Sequence, residues 1–109
     1  MTRPSRLFAG LLLLALATGC FRPDRRVLIV QVPQMNSPAC YAIIVESLKS
    51  MEGIESVRPD YDARTLEVTF NALRLAIKNV EHAVASTGFD ANELKGNADA
   101  KARLPEGCR

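Results

Sequence analysis

Three cysteines, Cys20, Cys40 and Cys108, carry most of the nucleophilic and soft-ligand chemistry that this 109-residue chain can offer. Cys40 closes the stretch Met35-Asn36-Ser37-Pro38-Ala39-Cys40. Ser37-Pro38 is a strong helix opening, because a serine hydroxyl accepts from an orphan amide and proline at the first helical position lacks the donor that would go unpaired. Cys40 then falls near the third helical position, where the helix amides and dipole favour a thiolate. It is the best-placed reactive atom of the chain. Met35 could supply a thioether, but methionine is a common gap-filler and a core role is the better reading. His82, the only histidine, lies between Glu81 and Ala83 with no cysteine or acidic cluster at a ligand spacing, which makes it a solvated helix residue. Paired carboxylates, a nucleophile with its histidine and aspartate, a phosphate loop and Cys-x-x-Cys are all missing from the sequence, so the expectation is a protein that is not an enzyme.

Cys20 belongs to a different kind of chemistry. Leu7 to Ala17 is an uncharged apolar run preceded by Arg3 and Arg6, the pattern of a secretory signal. It is shorter than the ~20 residues needed to span a bilayer. Ala17-Thr18-Gly19 leads into Cys20 and resembles the bacterial lipobox, with Leu16 one place further back than usual. The resemblance implies cleavage before Cys20 and a lipid on it. The expected organisation is a lipoprotein signal peptide at 1–19, a tether at 20–26, a domain at 27–94 and a tail at 95–109. The location implied is the periplasmic face of a bacterial membrane, lipid-anchored. Removing Arg3 and Arg6 from the 14 basic residues leaves 12 against 12 acidic ones, so no charge excess points to nucleic acid.

The elements that must position Cys40 follow from hydrophobic spacing. Val27 to Val32 is a continuous β-branched run that predicts a central strand buried on both faces. Tyr41, Ile44, Val45, Leu48 and Met51 recur at helical spacing up to Gly53. Ile54–Tyr61 and Arg64–Phe70 read as a hairpin around Asp60-Tyr61-Asp62-Ala63, with Leu66, Val68 and Phe70 inward. Leu73, Ile77, Val80 and Val84 give a second amphipathic helix that Gly88 ends, and Phe89 to Leu94 reads as a short edge strand. The order predicts an α+β ferredoxin-like βαββαβ sandwich, with a four-stranded antiparallel sheet and two helices on one face.

With that order, Met35 to Cys40 resembles the Met-x-Cys-x-x-Cys loop of heavy-metal-associated domains, as in periplasmic mercury-binding proteins and copper chaperones. The likeness spans roughly residues 27 to 94, and Gly88-Phe89-Asp90 resembles the Gly-aromatic element facing the metal loop. It implies a soft ion, Cu(I) or Hg(II), bound or passed on, with Cys40 as ligand and Ser37 and Phe89 supporting the loop. A metal transporter or a metal-accepting protein would be the partner, beside the membrane that holds the lipid. Ser37 departs from the family, which has its first thiolate there, and a hydroxyl does not replace a thiolate on a soft ion. Cys108 is the other thiol available once Cys20 is lipidated. The pair Cys40 and Cys108 can bind one ion, form a disulfide, or stay apart. The alternative function is a structural or protein-interaction module on the same fold, without metal.

Overall fold

A computed structural model describes residues 24–109; the signal peptide expected at 1–19 and Cys20 lie outside these described residues. The elements are β1 (Arg25–Gln31), α1 (Pro38–Lys49), β2 (Ile54–Asp60), β3 (Thr65–Asn71), α2 (Ile77–Ser86), a one-turn α3 (Ala98–Ala102) and a 3-10 turn (Glu106–Cys108). The sheet is antiparallel in the order β1-β3-β2. Even-numbered residues of β3, Leu66, Val68 and Phe70, are buried under the helices, and the odd ones face outward half-buried. From α1 the sheet receives Cys40, Ile44 and Leu48, spaced one helical turn apart, and from α2 Val80 and Val84. Tyr41 donates its hydroxyl to the Val57 carbonyl (3.1 Å) and meets Tyr61 edge to face, its ring centroid 6.5 Å away, tying α1 to the β2–β3 hairpin. At that hairpin Asp60 accepts from the Ala63 amide (3.0 Å) and Arg64 takes positive φ, a turn chemistry suited to Asp at its first position.

Three expectations need correction. The described residues hold three strands rather than four: in place of a strand over Phe89–Leu94 there is an isolated bridge between Ala91 and Leu94. Asn92 explains the loss. Its amide donates to the Gln31 carbonyl (2.9 Å) and its Oδ1 accepts from the Gln31 amide (2.8 Å), which makes one rung on the edge of β1. With φ +53° it then turns the chain away before a second rung can form.

β1 is accordingly an edge strand, not a central one buried on both faces. Val30 is buried, but Val27 and Ile29 on the uncovered face are 60% and 53% exposed. Because a strand's side chains alternate, helices on one face of the sheet bury only every second residue, whatever the apolar run suggests. Leu73, expected in the stripe of the second helix, lies in a turn ahead of it. The Asn71 carbonyl takes the Arg74 and Leu75 amides and the Asn71 side chain takes the Leu73 amide, so the helix begins only after Ala76, where Asn79 Oδ1 accepts the Ala76 amide. That turn leaves Leu73 77% exposed.

Candidate metal centre

The loop between β1 and α1 is held at both of its ends before any sulfur is considered. Val32 donates to the Arg64 carbonyl (2.8 Å), Met35 donates to the Val32 carbonyl (3.0 Å), and the Arg64 guanidinium donates to the Pro33 carbonyl (2.7 Å). Gln34 forms a two-way bracket with Asp90. Its amide nitrogen donates to Asp90 Oδ2 (2.8 Å) and its oxygen accepts from the Asp90 amide (3.1 Å). Asp90 Oδ1 also accepts from the Gly96 amide (2.8 Å). That backbone bond, then the Gln34 bond, holds the Asp90 carboxyl below its usual range. Met35 is fully buried in the core beneath the loop, among residues that include Phe89, itself fully buried.

Ser37 caps α1 with extended backbone (φ −155°, ψ 161°), its hydroxyl accepting from the Cys40 amide at 3.5 Å and donating to Cys40 Sγ at 3.3 Å. With Pro38 as the first helical residue, Cys40 is the third. Its sulfur is bonded to Cys108, across a Cα–Cα distance of 5.6 Å and a sequence separation of 68. Both residues are buried, at 0% and 2% exposure. Asn36 sits at the rim, donating from Nδ2 to the Gly107 carbonyl (2.9 Å) and placing Oδ1 3.5 Å from Cys40 Sγ. In the disulfide neither sulfur carries a proton, so that approach is a contact only. After reduction the Cys40 thiol can donate to Asn36 Oδ1 or to the Gly107 carbonyl, 3.8 Å away.

The tail reaches this loop by a crossing that two glycines permit. Gly88 ends α2 with φ +104°, and a Cβ there would come within 2.6 Å of the Lys101 backbone nitrogen. At Gly96 a Cβ would come within 2.3 Å of the Gly88 carbonyl oxygen. Asn97 then donates its backbone amide to the Ala85 carbonyl (2.8 Å) and its side chain caps α3 through the Ala100 amide (2.9 Å). Leu104 enters the core and the 3-10 turn delivers Cys108.

Cys40, Cys108, Ser37 and Asn36 therefore converge, with Met35 and Phe89 packed below them. His82 is exposed on α2 and takes no part. No group of three or more His, Cys, Asp or Glu side chains is clustered for metal binding among the described residues. What the centre can offer a metal is two sulfurs, a donor set that suits a soft, low-coordinate ion and not a zinc-type tetrahedral site. Asn36, Gly107 and the Gln34–Asp90 bracket went unnoticed in the sequence, because their role depends on where the tail lands.

Residues 29–90, more than half of the chain, match the heavy-metal-associated domain. The chain belongs to that family. Among curated relatives it is similar to the mercuric transport protein periplasmic component of Pseudomonas aeruginosa, with 25% identity over 87 residues, 80% of this chain and 94% of that protein. Its counterpart from Shigella flexneri is 26% identical over the same shares. Among solved structures, oxidized MerP from Ralstonia metallidurans CH34 superposes with a TM-score of 0.58 at 22% identity, covering 62% of this chain and 94% of that one. The CopZ metallochaperone does so with the same TM-score at 18% identity, covering 61% and 98%. These neighbours share the ferredoxin-like α+β fold of the family. The matched span stops at Asp90, so the tail with Cys108 lies beyond it.

Proposed function

We propose that this protein is a heavy-metal-associated module, not an enzyme, which captures or passes on a soft ion of the Hg(II) or Cu(I) type through Cys40 and Cys108. The observation that carries the reading is the 5.6 Å approach of Cys108 to Cys40, at the loop where the family resemblance expects a second thiolate and this chain has Ser37. A thiol-class reductant first supplies two electrons to open the disulfide, giving two thiols. A Hg(II) ion then displaces two protons and is held by two thiolates. Cys40 is the more acidic thiol on this reading, because the amides at the start of α1 favour its anion. Asn36 and Ser37 can each turn a polar atom toward its sulfur. Names of relatives that carry mercury in the periplasm, or that chaperone metal, support this location and class of cargo. A lipid on Cys20 would hold the domain at the periplasmic face of a membrane, within reach of a metal transporter or metal-accepting protein.

The test is titration of the reduced mature protein with Hg(II), Cu(I) and Zn(II) while free thiols are counted and unfolding is followed. Two thiols should disappear per soft ion, and the ion should restore the stability lost on reduction. If thiols are consumed one per ion with no recovery of stability, the pair does not act as a centre. A second reading, a structural module with the disulfide as a permanent clasp, is favoured by the burial of both sulfurs, since thiol exchange needs access. Resistance of the bond to millimolar reductant in the folded protein would select it.

A further inference from the structure

The end of the domain opposite the sulfur loop carries two exposed apolar side chains beside a groove. Leu73 is 77% exposed and Ile77 43%, two of the four large apolar residues that stand out among those described. Beside them lies a groove of about 420 Å³ lined by Arg26, Phe70, Ala72, Leu75, Ile77 and Lys78. A full-length fourth strand would run back along the edge of β1 toward this end. The turn at Asn92 removes that strand, and the described residues put nothing in its place.

This is also the end where the chain enters the domain. The Ala72 amide, next to Leu73, donates to the Asp24 carbonyl (2.7 Å), and Arg25 pairs with Asn71 at the start of β1. Cys20 precedes Asp24 by four residues, a reach of at most about 13 Å at ~3.3 Å per residue. β1 then carries the chain about 23 Å away, seven residues at ~3.3 Å, to the sulfur loop at its other end. Resting on the lipid anchor of the preceding section, we infer that the Leu73–Ile77 corner seats on the bilayer surface, so that the domain stands on its anchor with the Cys40–Cys108 centre pointing away from the membrane. A tether this short keeps Asp24, whose carbonyl holds the Ala72 amide next to Leu73, within about 13 Å of the anchor. The corner's charges balance, four cations against four carboxylates, so the apolar side chains and the short tether carry the seating: Arg26 and Lys78 line the groove, Arg25 and Arg74 flank it, and the acidic groups near it are Asp24, Glu52, Glu55 and Glu81. Glu55 pairs with Arg25, Glu52 with Arg74 and Glu81 with Lys78, while no ion pair engages Arg26 among the described residues.

The chain contains no tryptophan, so an introduced one reports its own surroundings. The lipid-modified full protein, purified from membranes, would be reconstituted into phosphatidylethanolamine–phosphatidylglycerol vesicles with brominated acyl chains. Leu73→Trp and, at the far hairpin, Asp62→Trp are compared. The proposal expects a blue-shifted emission for Leu73→Trp and quenching severalfold stronger than for Asp62→Trp, reduced when Ile77→Ser is added. Equal quenching at the two positions in vesicle-bound protein overturns the seating while leaving the anchor intact. A blue shift that depends on protein concentration and is insensitive to brominated lipid also overturns it, since a second copy of the chain would then cover the corner. Protein that does not sediment with vesicles at all overturns the anchor and the seating together.

Discussion

Removing the Cys40–Cys108 bond, which crosslinks two buried core positions, should be among the most damaging single changes to stability. The bond joins residues 68 apart, and the chain-entropy model gives about 4 kcal/mol for a loop of that length, an upper figure if the native state is unstrained. The tail has little else to hold it. Leu104 is its one large apolar side chain in the core, worth about 1.5–3 kcal/mol, against roughly 1–2 kcal/mol of backbone entropy for each residue ordered. Cys108→Ser, compared with oxidised wild type in urea under non-reducing conditions, should lower the midpoint by about 2–3 M for a slope of about 1.5–2 kcal/mol per molar. By heat, the same loss corresponds to roughly 15–30 °C in a domain of this size. Dithiothreitol should lower the wild type toward the variant and leave the variant unmoved. Equal midpoints for variant and oxidised wild type would refute the reasoning, since a crosslink of this span cannot be removed without widening the unfolded ensemble. Leu104→Ala should cost about 2 kcal/mol, the low end for a Leu truncation. In the Cys108→Ser background it should cost measurably less, because the tail would already be loose.

Gly88→Ala should raise the count of free thiols in protein folded under oxidising conditions, because its Cβ would strike the Lys101 backbone and keep the tail from crossing; Gly107→Ala, with open space around it, is the control. Ser37→Cys should raise affinity for Hg(II) or Cu(I) in the reduced protein by completing the family loop, at a capping cost of about 1 kcal/mol, and unchanged affinity in a metal-competition assay would count against a metal loop here. Asp90 has a depressed carboxyl, so its contribution to stability is fully present above the ordinary aspartate value and is lost as pH falls through the lowered folded value. Asp90→Asn should therefore lower the urea midpoint near neutral pH, while the difference from wild type shrinks as pH falls below the ordinary aspartate range.

Much of the scaffold was legible in local chemistry. Ser37-Pro38 announced the start of α1, the alternation of Leu66, Val68 and Phe70 announced the buried face of β3, and Gly53 and Gly88 marked helix ends with positive φ. What could not be read were properties created by distant parts of the chain. The run Val27 to Val32 has one composition whether its strand is central or at an edge, and only Asn92, sixty-odd residues on, decides between them. Leu73 fits the spacing of α2, but the hydrogen bonds of Asn71 stop the helix from starting early enough to include it. The tail shows no periodicity, with Leu104 as its single apolar residue of size in the core. Gly96 and Leu104 were the signals available there, and neither has meaning until Gly88 is known to lie underneath.

A pair of sulfurs on one helical turn can close as soon as that turn exists. Here the second sulfur lies 68 residues beyond the first, in a tail that reaches the loop only after crossing Gly88. Until the tail arrives Cys40 has one other possible partner in its own chain, Cys20, the residue proposed to carry the lipid. Acylation would then do more than anchor the protein: it would withdraw the competing thiol and leave Cys40 waiting for Cys108. Completion of the centre thereby becomes a mark that the chain has been made and threaded past Gly88, a check on assembly that a loop with both cysteines on the same turn cannot provide.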